Sequence, residues 1–151
     1  FMELGNHYYS NKKWDNAHKN YLKLLAIIPD EPYIHNRIGL INYHKGFYDR
    51  ALDSMLKAIK HDSDNDQYYY NLGLIYVKKS AFLKAASAFE KSLSLNPGNS
   101  DIHVDLALMY SQFPQTKDKS EKHMKTYISL KPDSYWADIF QKQLNNKSPK
   151  Q

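Results

Sequence analysis

The chain contains no cysteine, which excludes disulfides, thiolate zinc sites and cysteine nucleophiles and leaves its compartment open. Arginine is nearly as scarce: Arg37 and Arg50 stand against 19 lysines. Phosphate and nucleic-acid readers lean on the planar arginine fork, so the net charge of +5 is a weak clue and does not favour a nucleic-acid partner. No stretch approaches the roughly 18 consecutive apolar residues of a membrane span. Phe1–Ser10 lacks the charged start and apolar centre of a signal peptide. Because the chain opens on Phe partway into a helical pattern, an upstream segment is expected to be missing. The five glycines are isolated, so no glycine-rich phosphate loop exists.

Catalytic and metal-binding patterns are equally thin. Asp62-Ser63-Asp64-Asn65-Asp66 begins like a calcium loop, but Gln67 and Gly73 occupy the places that need Gly and Glu. It reads as an acidic turn. None of the seven histidines forms the i, i+4 pair that puts two ligands on one helical face, so no metal is expected. No nucleophile sits on a strained turn, and the expectation is a non-enzyme without a cofactor or small-molecule substrate. Tyr68, Tyr69 and Tyr70 cannot form one stacking platform, since neighbours on a helix point about 100° apart; at least one belongs to the core.

What the chain does hold is bulk and periodicity. Its 151 residues include 13 Tyr, 6 Phe and 2 Trp, enough to build a core and too aromatic for a disordered chain. Gly5, Gly39 and Gly73 recur every 34 residues, as do Ala17, Ala51 and Ala85. Leu4, Ile38, Leu72 and Leu106 keep the same step; Tyr8, Tyr76 and Tyr110 fit it with Asn42 as the exception. Tyr21, Met55 and Phe89 hold a third register, and Pro29 and Pro97 lie two periods apart. Small residues let two helices approach, and each large residue fills the space beside the contact. One such hairpin cannot cover its own apolar face, so neighbours must stack. The spacing predicts helices near 1–11, 14–28, 32–45, 48–61, 66–79, 82–95, 100–112, 118–130 and 134–146.

At these positions the chain resembles the tetratricopeptide-repeat (TPR) family. The first unit reads Leu4-Gly5, Tyr8, Ala17, Tyr21 and Pro29; the second Ile38-Gly39, Ala51 and Met55, with Ser63 where the closing Pro would be. The third reads Leu72-Gly73, Tyr76, Ala85, Phe89 and Pro97. A degenerate fourth reads Leu106-Ala107, Tyr110, Ser120, Met124 and Pro132, with one extra residue in its Phe113–Lys119 turn. The resemblance implies an all-α, right-handed superhelical solenoid forming a single domain over 1–151, with repeats 1–30, 31–64, 65–98 and 99–133. A capping helix over 134–146 would cover the last hairpin with Trp136, Ile139, Phe140 and Leu144, and a frayed tail would follow over 147–151.

The resemblance also implies a concave groove lined by the first helix of each repeat. The residues it singles out are Asn6, Tyr9, Tyr33, Asn36, Arg37, Leu40, Tyr43, Tyr70, Asn71, Leu74, Val104, Asp105 and Leu108. Leu40, Leu74 and Leu108 would form an apolar stripe, the tyrosines would add rigid contact surface, and Asn36 and Asn71 would grip a peptide backbone. The competing expectation is that these Leu and Tyr simply pack inside the array. The family's carboxylate clamp for chaperone tails is not expected: its places hold Met2, Asn6, Arg37, Gln67 and Asn71 in one frame, and Asn36, Leu40, Asn71, Asp101 and Asp105 in the next. Neither frame supplies the paired cations.

Charges sort by turn. Lys12, Lys13, Lys45, Lys78, Lys79, Lys117 and Lys119 mark the turns inside hairpins, and Asp30, Glu31, Asp62, Asp64, Asp66, Asp101 and Asp133 those between them. Helix dipoles account for much of this pattern. The expected function is a non-catalytic scaffold or adaptor that takes a protein or peptide partner in the groove. The alternatives are a self-assembling, homo-oligomeric module and, less favoured, binding of nucleic acid or an anionic surface along the lysine edge.

Overall fold

The structure is a computed structural model and describes residues 1–146; the tail expected over 147–151 lies outside the described residues. Its helices are α1 (Met2–Ser10), α2 (Trp14–Leu25), α3 (Pro32–His44), α4 (Tyr48–His61), α5 (Asp66–Lys78), α6 (Phe82–Leu95), α7 (Ser100–Ser111), α8 (Lys117–Leu130) and α9 (Tyr135–Asn145). No strand occurs among the described residues. Successive helices pair as hairpins, α1 with α2, α3 with α4, α5 with α6 and α7 with α8. The chain divides into two compact units, Phe1–Leu95 with three hairpins and a second from Asn96 onward with one hairpin and α9.

Local chemistry sets the helix ends. Glu31 accepts from the Tyr33 amide at the start of α3, with Pro32 in the first turn, where its missing N–H costs nothing. Asn65 caps α5 through the Gln67 amide and Ser134 caps α9 through the Ala137 amide. The calcium-like segment is thus a capping turn, in which the Asp64 amide also donates to Asp62. Helix α2 stops at Leu25, three residues short of expectation. The Ile27 and Ile28 amides both turn back to the Leu24 carbonyl, and Pro29 disfavours helical geometry at Ile28.

The 34-residue registers do the packing assigned to them. Ala17, Ala51 and Ala85 are fully buried, as are Tyr21 and Met55, and Phe89 is nearly so. A Cβ at Gly5 would lie 2.6 Å from the Tyr21 ring and one at Gly73 would lie 2.4 Å from Phe89, so these glycines exist to admit a ring. In the degenerate repeat the buried Ser120 donates to the Ala107 carbonyl at 2.8 Å, and Met124 fills the large-residue place. The extra residue of that repeat is taken up by a 3-10 turn, Pro114–Thr116, where the Thr116 hydroxyl donates to the Tyr110 and Phe113 carbonyls. Helix α9 covers α8 as expected: Phe140 is fully buried, with Trp136, Ile139 and Leu144 packed around the same core.

Candidate protein-interaction surface

In the first unit, the residues singled out from the sequence lie on α1, α3 and α5, the first helices of the three hairpins. Asn6 is the centre of a polar knot. Its Oδ1 accepts from the Tyr21 hydroxyl at 2.7 Å and from the Tyr33 hydroxyl at 3.0 Å. Burial pushes the Tyr21 hydroxyl up to about 12, so it remains a donor at physiological pH. The Tyr33 hydroxyl in turn accepts from Arg37 Nε at 2.8 Å. The Arg37 guanidinium lies 4.5 Å from the Tyr9 ring centroid and 4.8 Å from that of Tyr33. Together with the Tyr33 hydrogen bond, these contacts restrain the guanidinium.

Asn36 and Asn71 are placed differently from the sequence expectation. Both are buried, at 6% and 5% exposure, and Asn71 Nδ2 donates to Asn36 Oδ1 at 2.9 Å. Asn71 Oδ1 also accepts from Gln67 Nε2 at 3.3 Å. Much of their hydrogen-bonding capacity therefore joins α3 to α5. Leu40, Tyr43 and Leu74 are half-buried, and Tyr70 is half-buried against Phe89, with ring centroids 5.6 Å apart. Of the three consecutive tyrosines, Tyr68 is the core residue. In the second unit, on α7, Val104 is buried in the core, Asp105 is half-buried and Leu108 is exposed. Burial raises the Asp105 pKa above the ordinary carboxylate value, and Asp101 adds to the shift.

The lysine edge is partly neutralised within the fold. Lys45 pairs with Asp15 at 2.5 Å, and Lys79 pairs with Asp49 in the same arrangement one repeat later. Hydrogen bonding to Lys45 and its charge hold the Asp15 carboxyl below its ordinary pKa. This ladder joins the start of one second helix to the end of the next first helix. It was not read from the sequence, although Asp15/Asp49 and Lys45/Lys79 keep the 34-residue step and mark it.

A cavity of ≈ 480 Å³ opens beside the Asn6–Arg37 knot. Tyr9, Lys12, Trp14, Arg37 and His44 line it together with Asn6 and Ser10. Trp14 stacks on His44 at 4.9 Å with ring planes 8° apart, and Tyr9 meets Trp14 edge-on at 5.3 Å. Lys12 adopts φ +54°, as Gly46 and Ser80 in the same register adopt +80° and +56°. Glycine takes this left-handed conformation freely, whereas a lysine carries a cost of roughly 1 kcal/mol there. The sequence reading named Asn6, Tyr9 and Arg37 of this cavity as groove residues; Lys12 and Trp14 were missed because they sit in a turn and on a second helix. Among the described residues no group of three or more metal-ligating side chains converges, and no helix is long and apolar enough to cross a membrane.

With this hairpin geometry in place, comparison with known proteins decides the family. A TPR repeat profile matches residues 5–46 and 43–80, and a tetratricopeptide repeat profile matches 66–99. The chain belongs to the tetratricopeptide-repeat family. Its TPR fold is shared with solved structures at low identity. The crystal structure of MamA is 24% identical with a TM-score of 0.78, over 87% of this chain and 71% of that one. YrrB, described as a TPR protein with an unusual peptide-binding site, is 17% identical with a TM-score of 0.76, over 91% and 71% of the two chains. The TPR domain of Arabidopsis OM64 is 16% identical with a TM-score of 0.65, over 76% and 94%. No curated protein matches the chain.

Proposed function

We propose that this TPR chain is a non-catalytic scaffold or adaptor whose first-helix face, carried in the first unit by α1, α3 and α5, binds a segment of a partner protein. Asp105 and Leu108 hold the corresponding registers on α7. The observation that carries the reading is the combination on one face of half-buried Tyr9, Tyr33, Leu40, Tyr43 and Leu74 with the restrained guanidinium of Arg37. Rigid aromatic rings and an ordered arginine are the side chains that dominate protein interfaces, because little conformational entropy is lost when they are covered. YrrB, a TPR protein with an unusual peptide-binding site, supports the same class of partner.

The test is affinity capture with the wild-type chain, Leu74→Glu and the control Leu56→Glu, in which the exposed α4 side chain is changed instead. Retention of a protein by wild type and control, and its loss from a normally helical Leu74→Glu chain, is the expected result. Equal retention by all three removes the first-helix face from the reading.

A further inference from the structure

The cavity beside Arg37 has a charge problem that the fold itself does not solve. Arg37 is half-buried against two tyrosine rings, and among the described residues no carboxylate pairs with it. Lys12 adds a second cation at the rim, and none of the lining residues is acidic. Every other close Lys–carboxylate contact between hairpins in this unit is made within the chain, Lys45 with Asp15 and Lys79 with Asp49. The other lysine and arginine residues of this unit are exposed to solvent, so Arg37 is the exception among them as a half-buried cation without a carboxylate, and the partner that suits it is an anion from outside.

The geometry narrows that anion. With Nε donating to Tyr33 and the guanidinium carbon 4.5 and 4.8 Å from the Tyr9 and Tyr33 ring centroids, the terminal Nη groups are the edge left to meet a ligand. Two coplanar oxygens of one carboxylate match that edge. The neighbouring Trp14 and His44 rings, stacked on each other, and the Tyr9 ring edge offer apolar surface within the same ≈ 480 Å³, room for more than one side chain. Asn6 and Ser10 supply polar groups at the wall.

We propose that the cavity formed by Tyr9, Lys12, Trp14, Arg37 and His44 binds an acidic side chain of a partner peptide, with the adjoining apolar side chain of that peptide against Trp14. The proposal rests on the reading that the first-helix face takes a peptide, and names the class of peptide it takes: acidic residues alternating with apolar ones. The site lies at the α1–α2 turn and α3, so Lys12 and Trp14 give it a test independent of the rest of the face.

The experiment is fluorescence anisotropy on the full chain with three blocked, labelled pentapeptides: Glu-Leu-Glu-Phe-Glu, its Gln-for-Glu counterpart, and a version with phosphoserine for Glu. The Glu peptide is expected to bind about tenfold more tightly than the Gln peptide, the scale of one charge-assisted contact. Arg37→Gln is expected to remove that preference, and Lys12→Asn, which suits the left-handed turn, to reduce it about threefold. Arg37→Lys, which keeps the charge but not the fork, serves if Arg37→Gln does not fold, and is expected to weaken the Glu peptide alone. Equal binding of Glu and Gln peptides overturns the carboxylate site while leaving peptide binding on this face intact. Glu-peptide binding unmoved by the Lys12 and Arg37 substitutions overturns it too, as does absence of Glu-peptide binding at millimolar concentration, whatever the capture experiment shows. A phosphoserine peptide bound tenfold more tightly than the Glu peptide reassigns the cavity to phosphate.

Discussion

Asn71 reaches across from α5 and donates through Nδ2 to Asn36 Oδ1 on α3, at 2.9 Å and out of solvent. This bond joins two successive repeats through side chains that the family resemblance would offer to a ligand. Polar groups in that place do structural work first, because a buried amide left without a partner loses its hydration with nothing in return.

Removing both partners should therefore cost less than the two single removals added together. Asn71→Ala is expected to destabilise the chain by about 1–3 kcal/mol, since Asn36 keeps a buried carbonyl with its donor gone. The double variant Asn36→Ala/Asn71→Ala should be less damaged than the sum of the singles, by about 1 kcal/mol in a urea-unfolding cycle. Strict additivity would show that the two amides do not support each other.

The three registered glycines should not respond alike to alanine. At Gly73 an added Cβ meets the Phe89 ring at 2.4 Å, and the ring fills a closed core. Gly73→Ala is expected to cost about 1–3 kcal/mol through overpacking. At Gly39 the nearest atoms are the Ala51 carbonyl oxygen and the flexible Met55 methyl, both at 3.3 Å. Here the helix preference of alanine, up to about 1 kcal/mol, offsets the crowding, so Gly39→Ala should stay within about 1 kcal/mol of wild type. Thermal melts of the two variants side by side decide it.

Acid should weaken the second unit through His103. Its Nδ1 lies 2.9 Å from that of His123, one ring donating and the other accepting, and burial lowers the His103 pKa below the ordinary 6.5. The unfolded chain therefore binds the proton more readily than the native one. Stability is complete above about pH 6.5 and falls as the pH drops below it. His103→Gln should flatten that slope between pH 7 and pH 5. A slope unchanged by the substitution would place the acid sensitivity elsewhere.

Asp105 carries the opposite sign. Its raised pKa means that the native state holds the proton more tightly than the unfolded chain does, so ionisation at neutral pH costs stability. Asp105→Asn should melt higher than wild type at pH 7, and the gap should close as the pH falls through the carboxylate range. A lower melting point at pH 7 would show that the carboxylate has a stabilising partner after all.

Much of this molecule was legible in the residues alone. Gly5, Ala17, Tyr21 and their partners 34 positions on describe local demands, namely closeness of two helices and a ring to fill the gap. Such demands repeat with the chain and need no knowledge of neighbours, so the helices and the cap formed by Trp136 and Phe140 followed from spacing. Where the chain stopped short, at Leu25, the helical pattern of Ile27 and Ile28 was overruled by Pro29 beyond them.

The polar pairings were decided only by tertiary structure. Asn36 meets Asn71 across 35 positions, Asp15 meets Lys45 across 30, and Asn6 meets Tyr33 across 27. None of these separations is the repeat period, because each contact joins different registers on two stacked helices whose offset the period does not specify. Sequence determined that hairpins would stack and which residues would fill them. The stacking offset decided which amides are buried against each other, which lysines are neutralised, and that Arg37 is left against two tyrosine rings without an acid.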